Sequence, residues 1–266
     1  MDYETVKSAV DGVPNMSATE GRSVYDHLRR TGARDILEIG TAHAVSASYM
    51  AAAVEENGGG KVTTVDHVVA TADRDPAPAD VLERTGLGRL VDRVLVEDSS
   101  YTWWLKQQVE EHSDEAGNVE PHYDFCYLDG AHNWTIDGFS VYLIEKLLRP
   151  DAWILLDDLR WSYDPRKSSF GREQGPDDMK LSDAERSEPH VMAVWNLIVR
   201  QHPNFTDFKV ENEDWGWARK SVGDTSPRTL EVVYHDVPVG IRARQTARRL
   251  RATGGRVKRR VLNARD

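Results

Sequence analysis

Short apolar runs alternate with amphipathic stretches along most of this chain. DILEIG (35–40), KVTTVDH (61–67), DRVLVED (92–98), YDFCYLDG (123–130) and AWILLDD (152–158) each read as a buried strand that ends in glycine or acids. Helical spacing fills 44–57, 78–86, 100–112 and 134–148 between them. Strands alternating with helices predict a parallel sheet covered on both faces. Right-handed crossovers narrow this to a doubly wound α/β topology. A helix over 16–32 leads in, and another over 190–203 stops at Pro203. FTDFKVE and WGWARKS then read as two closing strands, paired as a hairpin across Asn212 to Asp214, giving a mostly parallel, seven-stranded sheet.

Residues 159–189 break the pattern. They are polar and interrupted by Pro165, Gly171, Gly175, Pro176 and Pro189. A long irregular insertion in a compact domain reads as a lid. The expected organisation is one domain over 1–222, including this lid, followed by a C-terminal extension over 223–266.

Composition changes the picture in few places. The chain has 266 residues, 39% of them apolar and 29% charged, and no apolar run approaches the ~18 residues of a spanning helix. No transmembrane segment or secretory signal is read, so a cytoplasmic setting is expected. The lone cysteine, Cys126, reads as a small buried hydrophobe. The net charge of −10 is uneven: residues 242–266 carry ten Lys or Arg against one acid, a basic tail of +9, which leaves −19 on residues 1–241. One reading is an anion-binding arm for nucleic acid, an acidic glycan or a membrane surface, but the tail has no aromatic to stack on bases, which argues against nucleic acid. A helix docking on the acidic body or on a second copy, as in a homo-oligomer, is the favoured reading.

In doubly wound sheets ligands bind beyond the carboxyl ends of the strands. The first strand gives Glu38, Gly40, Thr41, Ala42, His43, Ala44 and Ser46, where small residues let a ligand approach the backbone. The second ends at Asp66, placed for a carboxylate to accept both hydroxyls of a ribose. Together they suggest an adenosine-containing ligand. The G-x-G-x-x-G pattern for a pyrophosphate is absent.

ILEIGTAHAVS instead resembles the first motif of class I S-adenosylmethionine-dependent methyltransferases. The resemblance continues through VTTVDH, VEDSS, YDFCYLDGAH, LLRPDAWILLDD and WGWARK, covering roughly residues 16–221. One departure is Ala44, where the family usually has glycine. The resemblance implies the Rossmann-like methyltransferase fold, with S-adenosylmethionine held by Met16, Ser17, Glu38, Gly40, Thr41, Ser46, Asp66, Asp98, Ser99 and Asp129.

The adjacent acids Asp157 and Asp158 need an explanation of their own. The fourth and fifth strands are expected to be neighbours, so Asp129, Asp157 and Asp158 converge at one sheet edge. Carboxylates that close raise each other's pKa unless a cation intervenes, and a hard divalent ion such as Mg²⁺ suits them. The plainer alternative is that Asp129 caps a helix and the pair forms a polar turn.

Asp129-Gly130-Ala131-His132 followed by the acidic pair is similar to the metal-dependent sugar O-methyltransferases of antibiotic and actinobacterial polysaccharide pathways. That resemblance implies Asp129, Asp157 and Asp158 as Mg²⁺ ligands and His132 as general base, with Asp137 as a fallback. The implied acceptor is a hydroxyl-bearing small molecule or an oligosaccharide, with Trp134, Trp161 and Tyr163 placed to stack on a sugar face. Two further readings stay open: a non-sugar methyltransferase or hydroxylase on the same sheet, and a non-catalytic methyltransferase-like binding subunit.

Overall fold

The computed structural model describes residues 1–115, 117–164, 181–221 and 230–233. The central lid segment, 165–180, and the basic tail lie outside the described residues, as does most of the C-terminal extension.

The chain enters through α1 (Tyr3–Ala9) and α2 (Ala18–Thr31), then alternates β1 (Asp35–Ile39), α3 (Val45–Glu56), β2 (Lys61–His67), α4 (Val68–Thr71), α5 (Pro78–Thr85), β3 (Val91–Val96), α6 (Tyr101–Glu111), β4 (Tyr123–Leu128), α7 (Trp134–Leu147) and β5 (Leu148–Leu156). The second part contributes α8 (Asp183–Ser187), α9 (His190–Val194) running into a π-helical turn (Trp195–Val199), β6 (Phe205–Glu211), β7 (Trp215–Lys220) and β8 (Leu230–Val233). The strand order is β3-β2-β1-β4-β5-β7-β6-β8. Among the described strands, only β7 runs antiparallel to its neighbours.

The predicted seven strands are all present, within a doubly wound, Rossmann-like sheet. An eighth, β8, pairs parallel to β6 at the edge. It falls in the stretch read from sequence as an extension, because four residues are too short to carry a period. The short helices α4 and α8, of four and five residues, escaped for the same reason.

Alternation along the strands splits the core into two layers. Ile36, Phe125 and Tyr127 face α2 and α3, while Leu37, Ile39, Cys126 and Leu128 face the opposite layer with α6 and α7. Among the described residues, no helix is long and apolar enough to cross a membrane.

The core also holds polar residues, and one of them carries a pH dependence. His27 of α2 is 6% exposed and sits among the rings of Trp217 (4.6 Å), Trp153 (5.0 Å) and Phe125 (5.8 Å). Its Nδ1 lies 3.1 Å from the Arg30 guanidinium and accepts from it, which leaves the proton on Nε2, buried without a partner. Burial, aided by the charges of Arg30 and Lys209, lowers its pKa to about 3. The unfolded histidine takes up a proton near pH 6.5, whereas the folded one resists. Its stabilising contribution is therefore complete above about pH 6.5 and is lost as pH falls towards 3, by an amount of the order of 4 kcal/mol. Denaturant titrations at several pH values should show a shallower acid decline in His27→Phe than in the parent chain. Parallel declines would mean that His27 does not carry this dependence.

Candidate active site

Strand register puts the site together. Val65 pairs with Ile39, Ile39 with Leu128, and Leu128 with Leu156. The next residue on each strand is Asp66, Gly40, Asp129 or Asp157, so these four stand in a row across the carboxyl edge of the sheet. The row spans the switch point between β1 and β4, where the crossovers change face and a crevice opens.

The crevice is lined by Asn15, Met16, Gly40, Thr41, Ala42, His43, Val45, Ser46, Tyr127 and Asp129. Gly40 has φ +97°, and a Cβ there would lie 1.9 Å from the carbonyl oxygen of Asp129. Only glycine lets the two strand ends meet. Ala42 and Ala44 also take left-handed φ values of 43° and 62°, so the loop keeps a conformation usually reserved for glycine even where glycine is missing.

Glu38 is fully buried beneath this loop. The Ser46 hydroxyl donates to its Oε1, and its Oε2 is buried without a partner. Burial pushes its pKa up to about 8, against the lowering effect of Ser46 and Thr64 and with help from the charges of Asp129 and Asp66.

Asp66 binds its own loops. Its Oδ2 accepts from the main-chain N–H of Thr41 (2.9 Å) and Ala42 (3.1 Å), and its Oδ1 from that of His67 (2.8 Å). Ser17 caps α2 in a reciprocal box with Glu20. Asp98 and Ser99 are exposed beyond β3, where the Asp98 carbonyl lies 3.1 Å from His67 Nε2. Of the residues read as cofactor-binding, the structure thus brings Met16, Gly40, Thr41, Ser46 and Asp129 into the crevice wall, with Glu38 beneath. Ala42, His43 and Val45 of the same first-strand loop also line it, as do Asn15 and Tyr127, which were missed. For Tyr127 the signal existed, since it alternates with Cys126 and Leu128 in β4.

The acids lie alongside. His132 Nε2 is 3.2 Å from Asp129 Oδ1 and 2.9 Å from Asp158 Oδ2. Neither contact is aligned as a hydrogen bond, so the ring nitrogen has no directed partner. One donor atom from each of Asp129, His132 and Asp158 fits within a 4.8 Å group, a spacing that could hold a metal ion. Asp157 is turned elsewhere: Oδ2 accepts from the buried Tyr127 hydroxyl and Oδ1 from the Asp158 N–H at 2.6 Å. The structure therefore groups His132, rather than Asp157, with Asp129 and Asp158.

Both His132 (φ 54°) and Asp158 (φ 56°) are left-handed, a conformation that persists where the surroundings enforce it. Burial would lower the His132 pKa, but the two carboxylates prevail and raise it well above the usual imidazole range. Burial raises the Asp129 and Asp157 carboxyls, and neighbouring acids add to it.

Aromatic rings wall this centre. Trp161 packs on the His132 ring at 4.9 Å, and Tyr163 meets Trp161 edge-on at 4.6 Å. Trp134, at the start of α7, is 39% exposed. Asp137, read as a fallback base, is 2% exposed and hydrogen-bonded to Tyr101 and to the main chain.

Residues 37–159 match the family model described as a methyltransferase domain. Several solved structures share the fold. The O-methyltransferase of Bacillus cereus in complex with SAH aligns at 18% identity and a TM-score of 0.54, covering 82% of this chain and 90% of that one. The O-methyltransferase TomG of Streptomyces achromogenes, involved in tomaymycin synthesis and in complex with SAM, aligns at 19% identity and 0.53, covering 82% and 89%. An SAH-bound methyltransferase of Podospora anserina aligns at 17% identity and 0.55, covering 83% and 88%. No curated protein matches the chain. At these identities the likeness establishes the fold, a Rossmann-like methyltransferase sheet.

Proposed function

We propose that this chain, with a methyltransferase-family match over 37–159 and the fold to go with it, is an S-adenosylmethionine-dependent O-methyltransferase that uses Mg²⁺ and acts on a sugar hydroxyl. The observation that carries the reading is the convergence of Asp129, Asp158 and His132 beside a crevice whose wall also includes Asp129. The residues fit both groups. Gly40 lets the ends of β1 and β4 meet at the crevice wall, where a Cβ would strike the Asp129 carbonyl, while Asp129 and Asp158 give a hard cation its preferred oxygens. When bound, S-adenosylmethionine supplies an electrophilic methyl group and Mg²⁺ supplies positive charge that lowers the pKa of an acceptor hydroxyl.

The chain's own residues do the rest. His132 takes the hydroxyl proton as the new oxygen–carbon bond forms and the sulfur–carbon bond breaks. Asp129 and Asp158 lie 3.2 Å and 2.9 Å from its Nε2, close enough to stabilise the imidazolium that results. Trp161 holds the ring from one face. The sugar reading is supported by the likeness of the Asp129 to His132 motif to sugar O-methyltransferases and by the rings of Trp161 and Tyr163 beside the centre.

Radiolabelled methyl transfer to a panel of glycans, glycosylated metabolites and phenols tests the reading. Label is expected on a sugar hydroxyl, to require Mg²⁺ or Mn²⁺, and to vanish in Asp129→Ala and Asp158→Ala. Full activity in excess EDTA would refute the metal requirement, and label on phenols alone would move the acceptor class.

A further inference from the structure

The loop that carries His132 is held from behind by two side chains with no place in the chemistry above. Asp137 lies one turn into α7, and its buried carboxylate points back to the chain before the helix. Its Oδ2 accepts from the Asn133 N–H at 2.8 Å, and its Oδ1 accepts from the hydroxyl of Tyr101 in α6. That hydroxyl in turn accepts from the Ala131 N–H at 2.9 Å. The main chain is thus gripped on both sides of His132, which lies between the two held N–H groups in its left-handed conformation.

Helix capping does not account for the grip. The Asn133 side chain already caps α7, accepting from Thr135 N–H at 2.9 Å and Ile136 N–H at 3.3 Å. Gly130 is shaped to admit it, since a Cβ there would stand 2.3 Å from the Tyr101 hydroxyl and 2.9 Å from Asp137 Oδ1. Burying a carboxylate is costly unless its bonds are replaced. Here they are replaced by bonds to the segment that presents His132 next to Asp129.

We propose that Tyr101 and Asp137 are positioning residues, a clamp that fixes the 130–133 main chain and so brings His132 Nε2 between Asp129 and Asp158. The proposal rests on the reading of that trio as a metal centre. Outer partners of this kind typically change metal affinity by about 10- to 100-fold. A clamp behind the loop leaves the cofactor crevice on the far side of Asp129 untouched.

The test uses the full chain with Tyr101→Phe, which removes one oxygen, and Asp137→Asn, which keeps the volume. Mn²⁺ affinity, S-adenosylhomocysteine affinity by calorimetry, and the His132 imidazole resonance, assigned by its loss in His132→Ala, are measured for each. Mn²⁺ binding is expected to weaken by about 10- to 100-fold, with S-adenosylhomocysteine affinity retained and the His132 resonance displaced. If the parent chain takes up no Mn²⁺, the metal reading fails, and the resonance alone decides the clamp. An unmoved His132 resonance in both variants, or unchanged Mn²⁺ affinity in a parent chain that does bind it, overturns the clamp.

Discussion

Replacing His132 with alanine is expected to lower turnover by about 10²–10⁴-fold while leaving affinity for S-adenosylmethionine close to that of the parent. The asymmetry follows from placement. His132 contacts Asp129 and Asp158 on the acid side of the row, whereas the crevice is walled by Gly40, Thr41 and Ser46 from another loop. Single-turnover kinetics with calorimetric cofactor binding separates the two quantities. Mn²⁺ affinity measured on the same variant distinguishes its roles. If Mn²⁺ still binds, the imidazole acts as the base; if it is lost, His132 is a ligand, in keeping with its place among the three donors. Near-normal turnover would remove His132 from the mechanism altogether.

A larger effect on the whole molecule is expected from Gly40→Ala. The added methyl would collide with the Asp129 carbonyl, which is backbone and cannot rotate away, and φ +97° is itself unfavourable for alanine. Few substitutions combine a backbone clash with a forbidden dihedral. The loss should fall among the exceptional values of about 4 kcal/mol or more. Denaturant unfolding would measure it, and S-adenosylhomocysteine binding at low temperature would show whether the folded fraction keeps its crevice. Normal stability with intact binding would mean that β1 and β4 do not meet as described.

Much of this arrangement is legible in the residues. Five apolar runs ending in glycine or acids predict parallel strands, and the rule that ligands lie past carboxyl ends selects Gly40, Asp66, Asp129 and Asp157 before any coordinate is known. What the pattern does not resolve is the division of labour between adjacent acids. Asp157 continues the β5 row and is taken by Tyr127, whose hydroxyl comes from the neighbouring strand. Asp158 turns towards His132 because its backbone is left-handed, a choice fixed by tertiary packing rather than by its own chemistry. Tyr101 was equally hidden, since an aromatic at the start of α6 reads as core until Asp137 and Ala131 are placed against its hydroxyl.

Strand order also decides when the site can exist. β1 and β2, which shape the Gly40 and Asp66 end of the row, are consecutive in the chain, but β1's other neighbour is β4 and the acids arrive only with β5. Pairings so distant in sequence form late, after the entropy of closing the intervening chain has been met. A nascent polypeptide that has emerged only through α7 would therefore lack Asp158 and with it one of the three converging donors. The docking of a single strand then completes the set of three donors.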